Sequence, residues 1–321
     1  MLPVALFCDD KLCFSFEMDG NTAGISFYNF STLYNCIIKK ESGIIFFMCG
    51  FFSYCNRQCW FCPNSFIDRH SDCIFMDENL YLNILQQLKD IDYSKVITYS
   101  RYNEPLSNKD VFLKRLAQAR AYCPHAFLRT NSNGDFLTSI EYLDELANAG
   151  LNEIEIQCYL AENQEYSREI FEKKAKVFAN RFNLPYHIED YGEWMCAYFD
   201  YDKLNFTYAI RDFKNIANNR GESLSKNQKE FFRMANCLVP YQHIYVDYNG
   251  ECMLCCNLRH DIEAHRQFIV GDANKTPLDK IFMSETQLKY RRLLSCDGNN
   301  IHPCCSCKFF VSQKDMNLIE I

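Results

Sequence analysis

Cys55-Asn56-Arg57-Gln58-Cys59-Trp60-Phe61-Cys62 places three cysteines in one short loop, at spacings of four and three. A loop this compact can wrap three thiolates around one iron–sulfur cube and leave the fourth iron without a protein ligand. An iron left open is a place for a small molecule to bind and be reduced. Structural zinc is the competing reading, but zinc prefers four ligands in two short knuckles, and this loop offers three in one.

Working outward, residues 44–49 form a continuous apolar run before the loop, and a strand–helix rhythm follows it. Residues 77–88 have helical periodicity, 95–99 read as a strand and 109–122 as a helix. Residues 125–129 read as a strand ending in Thr130-Asn131-Ser132-Asn133-Gly134. A helix over 138–148 is closed by Gly150 as a C′ residue. A strand over 153–159 and a helix over 165–182, stopped before Pro185, complete the pattern. Repeated βαβ units give a parallel sheet or partial barrel with its chemistry at the C-terminal strand ends. The cysteine loop, the 100–105 turn and the 130–134 turn all fall at such ends. Residues 186–188, 194–199 and 206–210 are strands expected to complete the barrel. Residues 1–43 read as a small hairpin or meander.

The 321 residues carry a net charge of −7, which leaves no electrostatic footprint for nucleic acid. No apolar run approaches a membrane span of roughly 18 residues, and residues 1–10 lack the basic start of a secretory signal. A cytoplasmic protein without membrane or nucleic-acid partners is expected. The 19 cysteines are an odd, clustered set in a long chain. That pattern points to cluster or metal ligation in a reducing compartment rather than to a disulfide framework.

The C-x3-C-x2-C loop resembles the motif of radical S-adenosylmethionine (SAM) enzymes, over residues 44–210. The resemblance implies that Cys55, Cys59 and Cys62 hold a [4Fe–4S] cluster whose free iron binds SAM. Phe61 takes the aromatic position near the adenine. Arg101-Tyr102-Asn103-Glu104-Pro105 resembles the family's Gly-Gly-Glu-Pro, with Glu104 and Pro105 matching. Glu104 is then expected at the SAM ammonium, and Asn131, Ser132 and Gln157 resemble contacts to its ribose or carboxylate. Trp60 reads as core.

Cys237, Pro240, Gly250, Cys255-Cys256 and Cys304-Cys305-Ser306-Cys307 resemble a SPASM or twitch extension. On that pattern Cys237, Cys255, Cys304 and Cys307 hold one auxiliary [4Fe–4S] cluster, with four-cysteine zinc as the alternative. No cysteine follows Cys307, which implies the one-cluster, twitch type. Cys252, Cys296 and Cys305 read as bystanders. Cys256 faces two readings, bystander or hydrogen-atom donor to a substrate radical. The histidines have no metal-type spacing, and His260 and His265 are expected in solvent. Glu189 and Asp190 are expected in an exposed loop.

The resulting expectation is an α/β chain. Residues 1–43 form an N-terminal β extension, 44–225 a partial (β/α)6 TIM-like radical SAM barrel, and 226–321 a small cysteine-rich SPASM/twitch domain. The resemblance implies a dehydrogenase or epimerase of a small polar substrate, such as a sugar or aminocyclitol. A flavodoxin or ferredoxin is the expected electron donor. The alternatives are maturation of a ribosomal peptide and a non-catalytic zinc or iron–sulfur interaction module.

Overall fold

The computed structural model describes residues 4–8, 11–18, 21–28, 46–224, 233, 237, 239–295 and 301–308. Strands β1 (Val4–Cys8), β2 (Lys11–Met18) and β3 (Asn21–Tyr28) form an antiparallel meander. The main layer follows. Its first half alternates β4 (Phe46–Cys49), α1 (Glu78–Asp90), β5 (Val96–Thr98), α2 (Lys109–Tyr122), β6 (Phe127–Ser132), α3 (Ile140–Asn148), β7 (Glu153–Gln157) and α4 (Arg168–Ala179). Next come β8 (Tyr186–Asp190), β9 (Trp194–Phe199), β10 (Asn205–Arg211) and a single turn, α5 (Phe213–Ile216). The C-terminal part adds α6 (Val239–Gln242), β11 (His243–Val246), β12 (Glu251–Met253), β13 (Ile269–Asp272), α7 (Leu278–Phe282) and α8 (Glu285–Ser295).

The helices start where the sequence offers a cap. Asp77, Asn108 and Ser167 accept from the backbone N–H groups of Leu80, Val111 and Ile170, satisfying first-turn donors. The apolar residues of α1 recur as Leu80, Tyr81, Ile84, Leu85 and Leu88, one face of a helix, and all are buried. Gly150 has φ +103 just past α3, the left-handed conformation that a helix-closing glycine adopts.

Ten strands make one sheet in the order β13-β12-β11-β4-β5-β6-β7-β10-β9-β8. The six from β11 to β10 run parallel, and the outer pairs are antiparallel. Across the centre, Ile244, Phe47, Ile97 and Leu128 pair in register and are all buried. Burying each such side chain contributes roughly 1.5–3 kcal/mol.

Two expectations change here. The sixth parallel strand was sought among 186–210, but β8 and β9 return as an antiparallel hairpin on β10. Tight connections within that hairpin leave no room for a crossover helix, which parallel strands need. The missing strand is β11, from the C-terminal part, lying parallel against β4. The second change concerns His260 and His265, expected in solvent yet 6% and 1% exposed. Each is buried because a polar partner awaits it. His260 Nδ1 lies 2.8 Å from Asp247, and His265 Nδ1 accepts from the Arg259 N–H while its Nε2 lies 2.7 Å from the Gly221 carbonyl. Residues 44–45 and Cys296 lie outside the described residues.

Candidate active site

The cysteine loop leaves β4 through Gly50, where space is short. A Cβ there would stand 3.1 Å from Asp247 Oδ1 and 3.4 Å from Arg101 Cβ. Phe51 and Phe52 then plug the core beneath the loop, with Phe51 stacked on Phe112 at 5.4 Å. Above them the loop is pinned on several sides. The Cys55 N–H donates to the Arg69 carbonyl, and the Glu104 N–H donates to the Tyr54 carbonyl. Asn56 and Arg57 both donate to the Asp135 carboxylate, and Asn133 donates to Asn56 Oδ1 at 2.7 Å. The loop after β6 thus holds the cysteine loop by its side chains.

Cys55, Cys59 and Cys62 lie close enough to act on one another electrostatically. Burial, reinforced by the other two thiols, pushes Cys59 up to about 12. Burial also raises Cys55 to about 11. Thiols in such a setting stay protonated until a cation compensates their charge, which suits a metal-cluster site. Phe61 is buried, stacked on Phe213 at 4.0 Å and beside Tyr159 at 4.9 Å. Trp60 was read as core; it is only half-buried, and its indole N–H donates to the Leu160 carbonyl at 3.1 Å.

Glu104 and Ser132 come together. The Glu104 carboxylate accepts from Ser132 Oγ at 2.6 Å, the Asn133 N–H at 2.7 Å and the Leu106 N–H at 3.1 Å. Burial raises it to about 7 against those three donors. Asn131 Oδ1, one residue away, is buried without a hydrogen-bond partner. A buried acceptor left unmatched fits a ligand donor arriving there. Gln157 stands farther along, its amide donating to Glu155, on the wall of a cavity of about 110 Å³ shared with Arg57, Asn133 and Arg181.

Tyr102 and Asn103 occupy the glycine positions of the Glu104 turn. Tyr102 takes φ +59, a left-handed conformation that costs a non-glycine residue about 1–2 kcal/mol. Partners hold it there. Its carbonyl accepts from Asn64, its hydroxyl donates to the Cys256 carbonyl at 2.9 Å, and the Arg259 guanidinium covers its ring. Asn103 Oδ1 accepts from the Arg101 N–H and closes the turn.

The second thiol set is assembled from afar. Cys255 feels Cys256, Cys304, Cys307 and Cys237, and burial with these neighbours raises it well above the usual thiol range. Burial likewise pushes Cys237 up to about 11, and raises Cys304. The Cys237 N–H donates to the Leu294 carbonyl and the Cys307 N–H to Cys304, so α8 and the C-x2-C turn frame the set. Cys252 and Cys305 are buried, apart from these roles.

Sulfurs around one zinc ion stand about 3.8 Å apart, given Zn–S near 2.3 Å. Among the described residues, the set of three candidate ligands within 4.8 Å of one another is Glu222, His302 and Cys305. The thiols of the two sets are not members of that group. The Glu222–His302 approach joins residues 80 apart, which spacing along the chain could not reveal. Glu189 and Asp190 end β8 and are exposed.

Arg220 acts electrostatically on Cys62 of the first set and on Cys256, the neighbour of Cys255 in the second. The Cys256 thiol is raised by burial and opposed by Arg220; its sulfur hydrogen-bonds Tyr245. Arg220 is half-buried; Nη1 donates to Asn257 at 3.1 Å and Nε has no hydrogen-bond partner. Burial opposes its charge, but Tyr102, Cys62, Cys256 and Tyr159 around it favour the cation, and its pKa rises. A lone arginine carries no local signal, and the fold alone brings it to both cysteine sets.

The radical SAM superfamily pattern matches residues 50–170, and the SPASM iron–sulfur cluster-binding domain matches residues 237–308. The chain carries a radical SAM domain followed by a SPASM domain. Its two domains imply a SAM-binding [4Fe–4S] cluster and an auxiliary iron–sulfur cluster. The chain is 23% identical over 244 residues to an S-adenosyl-L-methionine-dependent 2-deoxy-scyllo-inosamine dehydrogenase of Niallia circulans, covering 75% of this chain and 83% of that protein. The fold resembles the crystal structure of BtrN in complex with AdoMet and 2-DOIA, with a TM-score of 0.60, 21% identity, and coverage of 83% of this chain and 93% of that one. An open conformation of BtrN gives 0.56 at 19% identity, over 84% and 94%. No helix among the described residues is long and apolar enough to cross a membrane.

Proposed function

We propose that this enzyme is a dehydrogenase of a small, polar, hydroxylated ring of the aminocyclitol class, with one auxiliary [4Fe–4S] cluster. The observation that carries the reading is Arg220, a cation with an unpaired Nε within electrostatic reach of Cys62 of one thiol set and of Cys256, which adjoins the other. A guanidinium there suits a hydroxyl whose oxygen gains negative charge during oxidation. When bound, the clusters and SAM supply hydrogen-atom abstraction and an acceptor for one electron.

In this reading Cys55, Cys59 and Cys62 hold the first cluster, and Cys237, Cys255, Cys304 and Cys307 hold the second. The Phe61–Phe213 stack forms a dry wall for the adenine. Glu104 receives the SAM ammonium, with Asn131, Ser132 and Gln157 toward its ribose and carboxylate. Arg220 stays protonated; it orients the substrate hydroxyl and stabilises developing oxyanion charge, while the proton leaves to water. The alcohol loses a hydrogen atom, a proton and an electron, and a ketone remains. A flavodoxin or ferredoxin supplies the reducing electron in the cytoplasm. The chain divides after residues 43 and 225, with β11 lent to the barrel by the last unit.

Cys256 supports a second reading, epimerisation, because its buried thiol lies within electrostatic reach of Arg220 and next to Cys255 of the second set. The test is anaerobic incubation of the reconstituted enzyme with dithionite, SAM and 2-deoxy-scyllo-inosamine. Dehydrogenation lowers product mass by about two units, whereas epimerisation in heavy water adds carbon-bound deuterium. Turnover of a precursor peptide, with none of the aminocyclitol, would overturn the substrate class.

A further inference from the structure

Arg220 is aimed by a turn of unusual backbone. Arg220, Gly221 and Glu222 have φ of +50, +68 and +66, three successive residues in the left-handed region. Only glycine adopts that conformation without strain, so contacts must hold the other two. Asn218 Oδ1 accepts from the Arg220 N–H at 3.1 Å, and Ser223 Oγ donates to the Arg220 carbonyl at 2.7 Å. Gly221 is packed tightly; a Cβ there would stand 2.6 Å from His265 Nε2.

The far side of this turn grips the second thiol set. Asn218 Nδ2 donates to Cys307 Sγ at 3.4 Å. Asn219 Nδ2 donates to Ser306 Oγ at 2.7 Å, and Ser306 Oγ donates to Glu222 Oε1 at 2.8 Å. The same carboxylate oxygen lies 2.9 Å from His302 Nδ1. Ser306 sits between Cys304 and Cys307, so one short turn is fixed to the C-x2-C segment at one end and at the other carries Arg220, whose Nη1 reaches Asn257 beside Cys256.

We propose that Glu222 is a positioning residue. Its hold on Ser306 and His302 sets the aim of Arg220, so the auxiliary-cluster turn controls how substrate is oriented. The inference rests on the role given to Arg220 above. Glu222→Gln keeps an acceptor at this position and Glu222→Ala removes it.

The experiment uses full-length reconstituted enzyme with its iron counted. With 2-deoxy-scyllo-inosamine, Glu222→Ala is expected to raise KM and lower kcat/KM by about tenfold, with Glu222→Gln recovering most of the loss. In an Arg220→Ala background the Glu222→Ala change is expected to add less than about twofold, because the two act as one unit. Additive effects, or loss of auxiliary iron in both Glu222 variants, would overturn the proposal. A substrate-independent arm measures hydrogen exchange over residues 218–224. Loading the auxiliary cluster is expected to slow exchange there in the wild type but not in Glu222→Ala; equal slowing in both overturns the inference. If the wild type does not turn over the aminocyclitol, the substrate reading fails by itself, and the exchange arm still decides the role of Glu222.

Discussion

The first thiol set spans eight residues and is steadied from outside, by Asp135, Asn133 and the Arg69 carbonyl. The second is gathered from Cys237, Cys255 and the Cys304–Cys307 turn, and is steadied by elements distant in sequence that meet around it, the Leu294 carbonyl and the turn that carries Asn218 and Asn219. The contrast separates two ways of building a cluster site. A local loop brings its ligands in one motif and needs the fold only to orient them. A dispersed set exists only once β11, β12, α8 and the C-terminal turn have met.

The largest expected difference between the sets comes from removing one proposed ligand of each. Cys59→Ala is expected to lower 5′-deoxyadenosine formation by roughly 10³-fold or more, since the three thiols act as a unit. Iron should fall from about eight to about four per chain, four for each cube. Cys304→Ala is expected to cause a similar iron loss yet leave SAM cleavage within about threefold, while ketone formation falls roughly 10²-fold. If Cys304→Ala abolished SAM cleavage as fully as Cys59→Ala, the division of labour between the two sets would be wrong.

A smaller effect probes the seam that joins them. Asp261 accepts from both Arg69 and Arg259, which are buried, and Arg259 reaches on to Asn64 beside the first loop. These contacts hold Asp261 well below the usual carboxylate range, against its own burial. Asp261→Ala strands two buried guanidinium groups and is expected to cost about 3–5 kcal/mol in denaturant unfolding. A loss under about 1 kcal/mol would show that water already serves this seam.

The smallest effect is a pH dependence at the first site. Burial raises Glu104 to about 7, above its ordinary 4.5, so the folded protein holds this proton more tightly than the unfolded chain. The contribution is full below pH 4.5 and fades as pH rises through about 7, so stability of the cluster-free protein should fall between those values. The drop is on the order of 3 kcal/mol, and Glu104→Gln should flatten it. A wild-type profile that rises over this interval would contradict the burial assigned to Glu104.

Legibility followed the same division. The cysteine-loop motif and the strand–helix rhythm through β7 could be read because each is local: a spacing and a period. The sixth parallel strand could not, because nothing in His243–Val246 names β4 as its neighbour across most of the chain. His260 and His265 were misplaced for a related reason. Their flanking residues are polar, and the Asp247 and Gly221 partners that permit burial lie elsewhere in sequence. Arg220 is the clearest case, a residue without a local motif whose chemistry comes wholly from placement.

The pairing of β11 with β4 also sets an order of events at the ribosome. Val246 follows Cys49 by nearly two hundred residues. At about 5–20 residues per second, the strand that carries the first thiol loop waits on the order of tens of seconds with one edge unpaired. Unpaired edges invite pairing with other chains. Nascent chains arrested before β11 should therefore be the aggregation-prone species, and holding the oxygen-sensitive thiol loop safe during that interval becomes a task for chaperones rather than for the fold.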